Sequence, residues 1–100
     1  MQTTHTLSRQ KTSLQQGTID LLNKQIEMEA HASAVYLAMA SWCHENDFIH
    51  SGDYFKKQAH EEREHMLKIF DFLIDTGARA LSPTIKNVQN DFADLRNVLE

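Results

Sequence analysis

FKKQAHEEREHMLKIFDFLIDTG, residues 55–77, is the stretch that decides the fold. Phe55, Gln58, Glu62, His65, Ile69 and Phe72 recur three and four residues apart in alternation. That spacing marks the row a helix turns toward its neighbours in a bundle. Glu62 and His65 stand in the row where a packed core takes Leu or Ile. Gly77 follows as a C-terminal stop. Upstream, Leu22, Ile26, Glu29, Ser33, Tyr36, Ala40 and Cys43 repeat the alternation, and Glu29 is a third polar intruder.

Working outward, residues 1–17 are rich in Thr, Ser and Gln without an apolar period, and read as a flexible arm ending at Gly17. A first helix is expected over 18–46, capped by Thr18 with Asp20 in its first turn. Residues 47–50 form a short connection, and Ser51 caps a second helix over 51–76. Residues 77–90, with Pro83, read as an extended connection. Phe92, Leu95 and Leu99 open a third helix over 91–100. The expectation is an all-α helical domain over 18–100, built on two long antiparallel helices.

Composition agrees with that reading. The 100 residues suffice for one small domain, and 41% hydrophobic with 24% charged is a globular balance. One proline and three glycines leave long helices uninterrupted. The net charge is −4 and the basic residues are scattered, which argues against nucleic acid as a partner. The run Ala32–Trp42 is broken by Ser33, Tyr36 and Ser41 and is too short to cross a bilayer. Neither a membrane span nor a signal-peptide core is expected. The single Cys43 excludes an internal disulfide and any multi-cysteine metal site, so a reducing cytoplasm is the expected location.

Chemistry enters through depth. Folding the chain about residues 47–50 sets Glu62 level with Tyr36 and His65 level with Ala32, with Glu29 within about one turn of His65. Two carboxylates at one buried level repel each other, and one stays protonated unless a cation sits between them. Carboxylate oxygen and imidazole nitrogen suit non-haem iron, and His65 at i+3 from Glu62 can reach the same ion. An isolated Glu-x-x-His is more often surface charge patterning. Phe55, Ile69, Phe72 and the matching Glu29 argue for an inward position here.

Several side chains carry plainer readings. Tyr36 reads as core packing with its hydroxyl on Glu62, or else as a group beside the metal. Lys57–Glu61 and Glu64–Lys68 are expected as surface pairs beside His60 and Arg63. His60 and His65 do not have the zinc-protease spacing. His5, His31, His44 and His50 are expected in solvent. Met39, Trp42, Phe48 and Phe70 read as core or interface residues, and Cys43 as a small core residue.

NKQIEMEAHASAVYLAMASWC (residues 23–43), followed by residues 55–77, resembles a bacterial non-haem ferritin, and the resemblance extends over about 19–100. It implies a ferritin-like four-helix bundle, of which this chain supplies the first two long antiparallel helices, the long crossover and the start of a third helix. By the same resemblance Glu29 is a first-helix iron ligand, Glu62 the carboxylate bridging two irons, and His65 the histidine ligand. Tyr36 lies beside the ferroxidase centre, and Glu61 contributes to a possible third iron site. Arg63 stands where haem-binding relatives carry a methionine, so the implied metal is non-haem di-iron, without haem. Members of the family have two further long helices that bring the remaining ligands, and a shorter N-terminal arm.

The implied function is oxidation of Fe(II) by O2, with storage of the ferric product in a shell of many identical subunits. One alternative is a metal-binding hairpin that dimerises into a four-helix bundle. Another is an inactive truncated piece of a ferritin. A rubrerythrin-like peroxidase is disfavoured because its paired cysteines are missing.

Overall fold

The computed structural model describes residues 11–100, as three helices: α1 (Gln16–Glu45), α2 (Ile49–Asp75) and α3 (Leu95–Leu99). The expected arm therefore lies largely outside the described residues, as does His5. No helix among the described residues is long and apolar enough to cross a membrane. α1 and α2 pack along their whole length as an antiparallel hairpin, giving a rod of 56 × 21 × 21 Å.

The helices start earlier than their side chains suggest. α1 begins at Gln16 and takes in Gly17, with Gln15 as an N-cap that makes no side-chain bond, so Thr18 is not the cap. α2 begins at Ile49 after Phe48, also without a side-chain cap, and Ser51 already lies inside the first turn. The backbone bond from Gly52 N–H to Phe48 O, 2.9 Å, starts the ladder before a serine is needed.

Both long helices end in the same way. Gly77 has φ 82°, and Ala78 N–H reaches back to Leu73 O at 2.9 Å while Gly77 N–H bonds Ile74 O at 3.0 Å. This pairing satisfies carbonyls that a helix end leaves open. At the end of α1 the left-handed residue is Asp47, φ 68°, with Phe48 N–H on Cys43 O at 2.8 Å. The tight reversal needs only Asn46–Phe48 between the helices.

That tighter turn moves the register. Ser33 Oγ donates to Ala59 O at 2.8 Å, so Glu29 lies directly opposite Glu62 and His65, within the one turn expected. The core falls into two apolar clusters along the rod. Ile19, Ile26, Ala30, Met66, Leu73 and Ala78 fill the open end. Ala40, Cys43, Phe55 and Val98 fill the turn end, with Tyr36, Met39, Trp42, Phe92 and Leu95 packed around them. Trp42 stacks on Phe48, with centroids 5.9 Å apart.

The buried row of α2 is Phe55, Ala59, Met66 and Leu73, one position beyond the row read from the sequence. Gln58 is half-buried, while His65 and Phe72 are exposed on its flank. From Gly77 the chain runs extended back to the turn end, fastened to α1 on the way. Asn23 Nδ2 donates to Arg79 O (3.1 Å) and its Oδ1 accepts from Leu81 N–H (2.8 Å). His31 Nε2 meets Lys86 O at 3.0 Å, so His31 is tied to the crossover and not simply solvated. Asp94 caps α3 by accepting from Asn97 N–H at 2.8 Å; the third helix thus begins at Leu95, not near residue 91.

Candidate metal centre

Glu29 on α1 and Glu62 and His65 on α2 converge between the two apolar clusters. One ligand atom from each lies within 4.8 Å of the others, and among the described residues these three form the one such group of His, Cys, Asp or Glu. His65 Nδ1 is 3.3 Å from Glu29 Oε2 and 3.6 Å from Glu62 Oε1. Their elements place them there: Glu62 and His65 share a helix face at i,i+3, and the register above brings Glu29 across to meet them.

The site is a shelf, not a closed box. Glu29 and Glu62 keep 17% and 20% of their side-chain surface, but His65 keeps 51%. No polar or charged residue is fully buried among the described residues, so the fully inward level read from the spacing does not hold for the imidazole. His65 is exposed because α1 and α2 cover only one side of that row.

Electrostatics mark the cluster as short of positive charge. Burial, with the hydrogen bond and charge of Glu62, pushes the Glu29 carboxyl above its ordinary value, while His65 pulls the other way. A carboxylate with that bias gains from any cation that replaces its proton. Taking zinc as a guide, first-row metal bonds of about 2.0–2.2 Å to oxygen and nitrogen set ligands a few ångströms apart. The observed convergence suits one ion, and the two-carboxylate, one-imidazole donor set suits iron, zinc or cobalt.

Other candidate residues fall around the cluster in different ways. Tyr36 stacks on Phe55, centroids 6.1 Å apart, and makes no hydrogen bond to Glu62. Glu61 is half-buried beside Glu62 but outside the three-residue group. Arg63 lies off the site face, lining a cleft of about 410 Å³ with Leu37, Met66, Leu67 and Phe70. The expected pairs Lys57–Glu61 and Glu64–Lys68 do not form; exposed side chains there gain too little to hold one geometry. Cys43 is fully buried and burial pushes its thiol up, which fits the small core residue read from the sequence.

One contact escaped the sequence reading. His44 is not free: its Nε2 lies 3.1 Å from Asp53 Oδ1 across the turn. Its ring packs so closely over Gly52 that a Cβ there would collide with it. The signal was a glycine inside a helix beside a histidine near the preceding helix end.

An antiparallel hairpin carrying Glu on one helix and Glu-x-x-His on the next is half of the bundle type that holds paired metal ions. Residues 19–100 match the ferritin-like domain family, and the chain belongs to that family. It is 32% identical over 87 residues to a probable bacterial non-heme ferritin-like protein of Haemophilus influenzae, covering 87% of this chain and 53% of that protein. A bacterial non-heme ferritin of Campylobacter jejuni is 33% identical, with 87% and 52% covered. The fold matches an engineered closed form of the Archaeoglobus fulgidus ferritin at a TM-score of 0.80 and 24% identity, covering 86% of this chain and 52% of that one. The chain spans about half the length of the relatives it matches.

Proposed function

We propose that this chain contributes the first half of a non-haem di-iron site, where Fe(II) is bound and oxidised by O2 before the ferric product is sequestered in a multi-subunit shell. The observation that carries the reading is the convergence of Glu29, Glu62 and His65 within 4.8 Å at the middle of the hairpin. The kinship with bacterial non-heme ferritins supports iron as the substrate over other divalent ions.

The residues divide the work. Glu29, Glu62 and His65 would hold an ion between the two helices, and by the family resemblance Glu62 would be the carboxylate shared with a second ion. His65 must offer an unprotonated Nδ1 to do so, with its remaining proton on Nε2. Metal entry therefore releases protons, and affinity falls as pH drops. Iron supplies the one-electron steps to O2, and the paired carboxylates offset the charge gained on oxidation. Tyr36, stacked on Phe55 nearby, would border the site, and Glu61 would lie near a third iron.

Anaerobic Fe(II) binding followed by O2 uptake tests the reading. Oxygen consumption that needs Glu62 is expected, with Glu62→Ala losing at least roughly 100-fold, the scale on which metal centres respond to altered ligation. Uptake unaffected by Glu62→Ala overturns it.

A further inference from the structure

Ser33 stands in the same row of α1 as Glu29, one turn further along, and is not among the converging ligands. Its hydroxyl crosses to α2 and donates to the Ala59 carbonyl at 2.8 Å. Among the described residues this is the one hydrogen bond from a side chain of either long helix to the backbone of the other. The geometry points to Ser33 as a positioning residue for the metal centre, one that fixes the axial register of α1 against α2 where Glu29 must meet Glu62 and His65. This rests on the metal reading above and adds to it the group that sets the ligand geometry.

Ser33 lies four residues after Glu29, and Ala59 three before Glu62. In an antiparallel pair both displacements run toward the turn, so the bond lies about one turn from the ligands on both helices. Apolar packing is thin at that level. The open-end cluster reaches Ala30 and Met66, and the turn-end cluster begins at Ala40 and Phe55 with Tyr36 against them. Between them the helices meet through Ala30, Ser33 and Ala59, whose short side chains form shallow ridges that permit sliding. Met66 is unbranched and fits irregular gaps without defining one position. A hydrogen bond to a backbone carbonyl does define one, in the way a lone polar side chain in a coiled-coil seam specifies register.

Register bears directly on a site shared by two helices. Metal–ligand distances hold within about 0.2 Å, while a slip of one residue shifts a helix by about 1.5 Å. Glu62 and His65 move together on α2, whereas Glu29 reaches them only across the interface, 3.3 Å from His65 Nδ1. The bond takes nothing from α2, because the Ala59 carbonyl has one lone pair for its own helix ladder and a second for Ser33. Removing the hydroxyl therefore strands no acceptor, and alanine is the better helix former. Ser33→Ala leaves the fold intact and loosens the meeting of the ligands.

Co(II) titration followed by visible absorption, with circular-dichroism melting of the metal-free chain, tests the proposal. Ser33→Ala should weaken Co(II) binding by roughly tenfold, the scale on which metal sites respond to a lost supporting hydrogen bond. Its ligand-field bands should change while its melting temperature stays close to the parent's. Ser33→Thr, which keeps the hydroxyl, should retain the parent affinity and bands, as should Ser41→Ala at an exposed serine of the same helix. Parent-like binding and bands in Ser33→Ala overturn the role of Ser33 and leave the metal reading standing. Affinity lost only together with a marked fall in melting temperature, or a Ser33→Thr chain as weak as Ser33→Ala, overturns it too. A parent chain that takes up neither Co(II) nor Fe(II) overturns the metal reading itself, and the assignment of Ser33 with it.

Discussion

Glu29 is the residue on which stability and binding pull in opposite directions. Its carboxyl is raised, chiefly by burial and then by Glu62, so the native metal-free state holds a proton more tightly than the unfolded chain does. For a raised carboxyl the sign is that stability is greatest below the unfolded value and is lost as pH rises through the folded one. Ionising Glu29 is therefore a burden to the empty protein. Glu29→Gln is expected to raise the melting temperature of the metal-free chain at pH 7 while weakening metal binding at least tenfold, roughly the scale of a lost ligand contact. A variant less stable than the parent without metal would mean that His65 already compensates the charge.

The residue scale is also where the sequence was most legible. Glu29, Glu62 and His65 betrayed themselves as polar breaks in rows of three-and-four spacing, and spacing survives small errors of register. The row that α2 buries was less legible. Ala59 and Met66 look no more like core than Gln58 and His65 with Phe72 beside them, and the larger side chain, Phe72, is the exposed one. An apolar row left uncovered by two helices reads in the sequence just as a covered one does.

At the scale of elements, the helix ends separate what local chemistry announces from what it hides. Gly77 announced its left-handed turn because only glycine adopts φ 82° without strain. Gly77→Ala should lower stability by about 1–2 kcal/mol, measured by urea unfolding, through the cost of a Cβ in that region. Asp47 does the same work unannounced, since aspartate tolerates φ 68° but does not require it. Starts were hidden for another reason: neither long helix uses a side-chain cap, so the Ser and Thr near their beginnings were uninformative.

Gly52 belongs to the same scale. Alanine in a helix gains about 1 kcal/mol over glycine, yet here the added methyl strikes the His44 ring. Overpacking of that kind costs about 1–3 kcal/mol. Gly52→Ala should therefore be net destabilising by about 1 kcal/mol, and His44→Ala in the same chain should restore stability above the single variant. A fully tolerated Gly52→Ala would show that the exposed ring swings away freely.

The described residues form a two-helix rod with an extended return segment along one side; the sequence showed that segment as a connection but not the contacts that fasten it. Asn23 and His31 hold residues 79–86 through backbone atoms, contacts that need no pattern on the partner segment. Asn23→Ala removes two of them, each worth about 1 kcal/mol at most in an exposed setting. Amide exchange at Leu81 should quicken markedly while the α1 and α2 core amides keep their protection. Uniform loss of protection would make the crossover part of the cooperative core.

The account stands on three side chains from two helices holding one ion, and X-ray absorption of the chain loaded anaerobically with Fe(II) addresses that most directly. The expected spectrum has oxygen and nitrogen neighbours only, with an imidazole contribution that disappears in His65→Ala. An unchanged imidazole signal in that variant, or iron bound equally well without Glu29 and Glu62, would contradict it.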